Sequence, residues 1–304
     1  MATHKAFVCG GTGTQGGAVA RQLRALGWEV RTITRDPNSK AAQALTAIGV
    51  TCIAGSWHDE AALAQGLAGC DALFLNVMPS LEGKDIEFGA GDAVLRGAKA
   101  AGVRRVVYSS AVPLGAAAPG SVLAASRDQK RRLEARVREL GFDSWTVLQP
   151  GYFMTNFLAP MVRFMLPGAA ESGAASVAFR PDTRLPLIDP EDIARFAVAA
   201  LRDPDTFHGK EIRLAAEKPT VEAIWEVVRR GTGRDLRVTY LSEEEAEQAA
   251  AANPVLAAQL SAREMGDKME ATVGWGIEMT TFEEFVAREK QAFDETFAQV
   301  KKID

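Results

Sequence analysis

Over the first 150 residues, short apolar runs rich in β-branched side chains alternate with longer helical patterns. The runs at 5–9, 29–34, 50–54, 72–77, 104–109 and 143–148 read as strands. Between them, Val19, Leu23 and Leu26 fall at helical spacing, an Ala-rich helical stretch covers 84–101, and a third helical pattern covers 124–140. Strand and helix repeated in this way predict a parallel sheet covered on both faces. Right-handed crossovers then make it a doubly wound α/β fold.

Beyond residue 150 the rhythm changes. Residues 152–166 read as helix, 167–176 are rich in Gly, Ala and Ser, and a short strand falls near 184–188. A helix opened by Asp189-Pro190 and a strand at 211–214 follow, and 219–304 is mostly helical. Thr280 is the expected cap of the last helix. Its stripe of Phe282, Phe285, Phe293 and Phe297 predicts an intramolecular core face rather than a partner surface. The division predicted is a dinucleotide-binding domain at 1–155, with return segments near 189–215, and a smaller, mostly helical C-terminal domain at 156–304.

Composition narrows the class. The 304 residues are 47% hydrophobic and 24% charged, as in a folded globular protein. A net charge of −4 argues against nucleic acid or an anionic membrane as main partner. The one compact basic run, Lys130-Arg131-Arg132, is too short to track phosphates. No run approaches the ~18 apolar residues of a membrane span. Met1-Ala-Thr-His-Lys leads straight into the first strand, leaving no room for a signal peptide, so the cytosol is the expected compartment. Cys9, Cys52 and Cys70 are too few and scattered for a disulfide framework or a zinc site and read as core; no metal site is expected.

The most informative segment runs from Phe7 to Ala20. Gly10, Gly13 and Gly16 form GxxGxxG, and Gly11, Gly13 and Gly16 form GxGxxG at the same time. After a first strand and before an amphipathic helix, this pattern predicts a pyrophosphate cradle. Glycines let the chain turn tightly, let backbone approach the pyrophosphate, and let helix pack on strand. The N–H groups at the helix terminus then face the phosphates. Gly10, Gly11, Thr12, Gly13, Thr14, Gln15 and Gly16 are therefore candidate cofactor contacts. The second strand ends Thr34-Arg35-Asp36-Pro37. An NAD site places an acid here for the ribose 2′-OH. Arg35 comes first, with Lys40 just beyond, so the expected cofactor is NADP(H), with Asp36 as the NAD-type alternative.

These residues resemble the NmrA-like proteins, an atypical branch of the short-chain dehydrogenase/reductase superfamily. The likeness rests on GGTGTQGG (10–17), TRDP (34–37), AAGVRRVVYSS (100–110), Lys130-x-x-x-Glu134 and LQPGYFMTNF (148–157). It continues through LPLIDPEDIARF (185–196), GKEIRLAAE (209–217) and TTFEEF (280–285). The resemblance implies a Rossmann domain binding NADP(H) and a smaller C-terminal domain closing over the nicotinamide. It also implies two kinds of activity, since some members are reductases and others are redox-sensing regulators that bind a protein partner. Ligands of a parallel sheet sit outside the carboxyl ends of its strands. Those ends supply further candidates: Ser56 and Trp57, Asn76, Val77 and Met78, Ser109, and Gly151, Tyr152 and Phe153. Trp57 either lies against adenine or caps the core. Family members often carry an acid where this chain has Ser56. Tyr152 either meets the nicotinamide or packs under the second domain.

Most short-chain dehydrogenases use Tyr-x-x-x-Lys, with the tyrosine as acid. None of the three tyrosines here, Tyr108, Tyr152 and Tyr240, has lysine at +4. Lys130, Leu133, Val137 and Leu140 follow 3, 4, 3 spacing, which places Lys130 on the sheet-facing stripe. Lys130 there either serves the cofactor side or snorkels at the stripe's edge beside Glu134. On the cofactor side it would bind the nicotinamide ribose, orient a substrate carbonyl or donate a proton. Lys130 and Tyr152 are thus the candidate catalytic residues. His4, His58 and His208 form no hydrolase motif, and Asp189, Glu191 and Asp192 read as helix-start carboxylates. The function expected is NADPH-dependent reduction of a small carbonyl, enone, imine or quinone. The alternative is a non-catalytic NADP(H) sensor acting through a protein partner.

Overall fold

The apolar runs of the first half do pair as strands. The structure, a computed structural model, describes residues 4–78, 85–112, 117 and 120–303. In chain order it opens with β1 (Lys5–Val8), α1 (Thr14–Ala25), β2 (Glu29–Thr34), α2 (Lys40–Ala47), β3 (Thr51–Ala54) and α3 (Glu60–Leu67). Then come β4 (Ala72–Leu75), α4 (Ile86–Ala100), β5 (Arg105–Ser109), α5 (Val122–Glu139) and β6 (Ser144–Pro150). The inner strands β1, β4 and β5 are nearly continuous in buried residues because helices cover both faces of the sheet, whereas β2 and the edge strand β3 carry polar and exposed positions. The predicted boundaries agree within about two residues, although position 84 of the Ala-rich stretch lies outside the described residues.

The remainder comprises β7 (Tyr152–Phe153), α6 (Met161–Met165), α7 (Ala169–Ser172), β8 (Ala174–Val177), β9 (Leu187–Ile188), α8 (Pro190–Arg202), α9 (Pro204–Phe207) and β10 (Lys210–Leu214). After them follow α10 (Val221–Thr232), β11 (Arg237–Tyr240), α11 (Glu243–Ala252), α12 (Pro254–Ala262), α13 (Phe282–Arg288) and α14 (Lys290–Thr296). The central sheet has seven strands in the order β10-β6-β5-β4-β1-β2-β3. Neighbours from β3 to β6 pair in parallel. At the edge, Gly209 N–H donates to Trp145 O and Gly151 N–H to Leu214 O, so β6 and β10 also advance together. The order reverses between β1 and β4, which makes the sheet doubly wound, a Rossmann fold.

The chain divides into two compact units. The first takes Met1–Ala111, Gly120–Gln149 and Pro190–Ile212; the second takes Val112–Pro119, Pro150–Asp189 and Arg213–Asp304. In the first, Phe7, Leu73, Leu75, Val106, Tyr108 and Val147 of the sheet bury against Leu63 and Leu67 of α3, Val94 and Leu95 of α4, and Leu133 and Val137 of α5. Cys9 and Cys70 lie in this core, while Cys52 is only half-buried. Burial pushes the Cys9 thiol up to about 12 and the Cys70 thiol up to about 11. The basic run is neutralised locally: Lys130 pairs with Glu87, Arg131 with Asp128 and Arg132 with Asp85. Among the described residues, no helix is long and apolar enough to cross a membrane.

The second unit departs from the helix expected at 152–166. Tyr152 and Phe153 pair in parallel with Leu187 and Ile188, a short 3₁₀ turn covers Met154–Phe157, and α6 begins only at Met161. Pro160, as the residue before α6, lacks the N–H that a continuous helix would need. The phenylalanine stripe is internal, as expected, with Phe282, Phe285, Phe293 and Phe297 all buried. It spans two short helices, and the cap is Thr281 rather than Thr280. The Thr281 hydroxyl accepts from Glu284 N–H while the Glu284 carboxylate accepts from Thr281 N–H, a reciprocal capping box. The helix-start carboxylates of α8 are engaged further than capping requires: Glu191 pairs with Arg21, Asp192 with Arg195 and Asp189 with Arg288.

Candidate dinucleotide-binding site

The glycine loop is a tight turn between β1 and α1. Gly10 sits at φ +64°, in the left-handed region, and its carbonyl accepts from Gly13 N–H at 2.8 Å. Gly11 N–H donates to Thr32 Oγ1 of β2 at 3.2 Å, and a Cβ on Gly11 would lie 2.6 Å from that oxygen. A Cβ on Gly16 would lie 2.3 Å from Gly10 O and 2.4 Å from Cys9 O, so glycine there lets α1 pack on the end of β1. Gly13 is different. Its backbone is ordinary extended chain (φ −97°), it is exposed, and a Cβ would meet nothing nearer than Gly10 O at 3.3 Å. A Cβ there would press on one backbone oxygen by only a few tenths of an ångström, a far milder demand than at Gly11 or Gly16.

The residues present fit a pyrophosphate. No side chain caps α1 and its first turn carries no acid, so neither satisfies the free amides or the positive dipole end at the start of the helix. Thr12 is half-buried and Thr14 exposed at the same lip. The Ser109 hydroxyl, at the end of β5, donates to Gln15 Oε1 at 2.7 Å. This ties the first turn of α1 to the sheet and makes Ser109 a support for Gln15. Asn76 lies beside Gly10, its O and Nδ2 3.6 and 3.7 Å from a Cβ built there. Val77 turns into the core, whereas Met78 is 81% exposed.

At the end of β2 the charges sort themselves. Asp36 Oδ1 accepts from Asn38 N–H at 2.9 Å, holding the turn into α2. Ser39 then caps α2 through Ala42 N–H. Arg35 and Lys40 are exposed and form no ion pair among the described residues. Ser56 Oγ accepts from His58 N–H, a turn-forming role, and Trp57 packs half-buried against the core of the first unit.

Lys130 lies in the middle of α5, partly buried at the edge of the stripe of Gln129, Leu133 and Val137, and turned toward α4 rather than the sheet. Its Nζ is 2.6 Å from Glu87 Oε1 of α4. Glu134, the partner expected from spacing, instead accepts from Gln149 Nε2 at 3.1 Å. Tyr108 of β5 is buried nearby. Burial first, and then the Glu87 carboxylate, push its hydroxyl well above the ordinary tyrosine pKa.

Gly151, Tyr152 and Phe153 belong to the second unit. A Cβ on Gly151 would lie 2.2 Å from Pro186 O, so close backbone packing accounts for that glycine. Tyr152 N–H donates to Pro186 O at 2.7 Å, and its ring packs with Phe157 and Phe179. Burial pushes its hydroxyl pKa up, outweighing a smaller opposite contribution from Asn156. Phe153 is half-buried. The Tyr152 ring thus packs within the second unit.

Sequence reasoning missed Glu87 and Thr32. Glu87 follows the buried spacing of Ala90, Gly91, Val94 and Leu95, and a carboxylate on such a stripe was the available signal. Thr32, inside a β-branched run, carried no signal distinct from strand propensity.

Residues 2–296 match the model of the NmrA-like family. An NmrA-like family domain-containing oxidoreductase, malD of Malbranchea aurantiaca, is 31% identical over 77% of this chain and 74% of its own. Other named relatives match over as little as half of their own length. Among solved structures, the Escherichia coli NADPH-dependent quinone oxidoreductase complexed with NADPH superposes with a TM-score of 0.72 at 23% identity, covering 93% of this chain and 99% of that one. NmrA, a negative transcriptional regulator in complex with NAD, gives 0.69 at 21% identity, covering 96% and 98%. At these identities the structures speak for the fold alone. A doubly wound sheet, a glycine loop open at its third glycine and a family match over nearly the whole length agree: the chain belongs to the NmrA-like family.

Proposed function

We propose that this protein is an NADPH-dependent oxidoreductase that reduces a small carbonyl, enone, imine or quinone. The observation that carries the reading is Gly13, an exposed glycine in ordinary extended backbone at the mouth of a helix that no side chain caps. Names of relatives support it, since malD is described as an oxidoreductase and a structural neighbour as NADPH-dependent. The loop amides and the start of α1 would hold the pyrophosphate. Arg35 and Lys40, unpaired while Asp36 serves its own turn, would grip the 2′-phosphate that distinguishes NADP from NAD. When bound, the nicotinamide supplies the hydride. Lys130 would hold the nicotinamide ribose or orient the substrate carbonyl, and the proton would come from Lys130, Tyr152 or water.

Calorimetric titration with NADPH and NADH, followed by NADPH oxidation against a panel of carbonyls and quinones, tests this reading. NADPH binding at least about tenfold tighter than NADH, the size of one charge-assisted hydrogen bond, and turnover of a panel member are expected. Equal binding would make Asp36 the reader. The second reading is a non-catalytic NADP(H) sensor acting through a protein partner. It is favoured by the missing Tyr-x-x-x-Lys pair, and tight NADPH binding without turnover would support it.

A further inference from the structure

We infer that Glu87 is a positioning residue that fixes the Lys130 ammonium for the nicotinamide half of the dinucleotide. The inference rests on the role proposed for Lys130. A lysine is a compact charge on a flexible four-carbon stem with three rotatable donors, so some other group must hold it if it is to meet a ligand in one geometry. Glu87 is such a group. Its side chain is 0% exposed, that of Lys130 is 17% exposed, and Nζ to Oε1 is 2.6 Å. One donor is thereby committed to the protein.

The frame around this pair is rigid. One residue along each helix, Phe88 N–H donates to Gln129 Oε1 at 3.1 Å. Arg132 pairs with Asp85 at 2.8 Å and lies over the Phe88 ring, and Arg136 pairs with Asp92 at 2.7 Å. Gly91 admits Leu133, whose Cδ2 would be 2.6 Å from a Cβ at 91. Contacts above and below thus set the separation of α4 and α5, and Glu87 is held where they meet.

A purely structural ion pair would be expected to satisfy both carboxylate oxygens. Glu87 Oε2 is buried with no hydrogen-bond partner among the described residues. An unmet buried acceptor costs a fold free energy, so Oε2 adds nothing to the stability of the pair. Nor does the network close around the pair, since Glu134 is turned to Gln149. The carboxylate is spent on one atom, Lys130 Nζ.

The test compares two ligands on the full chain. NADPH carries the nicotinamide ribose; adenosine 2′,5′-bisphosphate carries only the adenosine half. Calorimetry on Glu87→Gln, which keeps the shape and removes the charge, should show NADPH affinity lower by about fivefold to tenfold. Affinity for the bisphosphate should be unchanged. Glu87→Asp, which keeps the charge, should recover part of the loss and serves if the glutamine variant does not fold. In a Lys130→Met background Glu87→Gln should cost nothing further, because its effect passes through Lys130. Equal losses for both ligands, no loss for NADPH, or the same loss in the Lys130→Met background would each overturn the positioning role. If Lys130→Met alone leaves NADPH affinity unchanged, the reading of Lys130 itself fails, and the role of Glu87 with it.

Discussion

Replacing Gly13 with valine separates the ligand's demands from those of the fold. Gly13 has φ −97° and ψ 179°, a conformation open to any L-residue. Its would-be Cβ has only one neighbour, at 3.3 Å. Stiffening the unfolded chain favours the variant by about 0.4–1 kcal/mol. Glycine is the better N-cap, and losing it costs roughly 0.5–1 kcal/mol. The two nearly cancel, so the folding free energy should change by less than about 1 kcal/mol. In binding nothing cancels. The added methyls occupy the space into which Gly13 leaves the α1 amides open. Losing one charge-assisted hydrogen bond to phosphate, about 1.5–3 kcal/mol, lowers affinity by roughly ten- to a hundredfold. Gly16→Ala supplies the contrast. Its Cβ would lie 2.3 Å from a backbone oxygen, well inside the 3.0 Å that real Cβ atoms respect. It should destabilise the fold by about 1–3 kcal/mol. Urea unfolding and NADPH calorimetry on both variants read the two axes. A folded Gly13→Val protein that binds NADPH as tightly as the unmutated chain would refute the assignment of the loop.

Arg35→Ala should weaken NADPH by about tenfold and leave NADH unchanged, by the same titration. Thr32→Val removes the acceptor of the buried Gly11 N–H and should lower stability by about 1–3 kcal/mol in urea unfolding. Asp71 gives a pH signature. Burial works to raise its carboxyl pKa, but hydrogen bonds from His4 and Lys5 N–H and the charge of Arg105 outweigh burial and hold it below the ordinary value. Stabilisation from a depressed carboxyl is present above the unfolded pKa of about 3.9 and is lost as pH falls through the folded value. Asp71→Asn should therefore be less stable than the parent at pH 7, and urea unfolding should show the gap closing as pH falls below the unfolded carboxyl value.

The strands of the first unit were legible because they are short runs rich in apolar and β-branched residues; the run 29–34, with its Val, Thr and Ile, became β2 unchanged. Segment 152–166 was not. Tyr152, Met154, Phe157 and Leu158 are all buried, and that many apolar residues satisfy strand and helix spacing alike. Pro160 was the one discriminating signal. The last cap was ambiguous for another reason: Thr280 with Glu283 and Thr281 with Glu284 are both capping-box pairs. Starting the helix at Phe282 sends Phe282 and Phe285 inward, and that burial selects Thr281. In the site, the glycines and Arg35 were readable from spacing and strand ends. Glu87 went unread although it follows the buried spacing of α4, since apolar periodicity passes over a charged residue.

The order in which the sheet's strands leave the ribosome follows from its order in space. Strands β1 to β6 are complete once Pro150 has been made, but β10, which flanks β6, is encoded at Lys210–Leu214. Between them the chain leaves the first unit at Pro150 and re-enters it only at Pro190. During synthesis β6 is therefore an open edge, its ladder groups unpaired while roughly sixty further residues are added, a few seconds at ordinary elongation rates. A chain truncated before residue 210 would keep that edge permanently. Such fragments should self-associate through β6, whereas chains extended past Leu214 carry the strand that covers it.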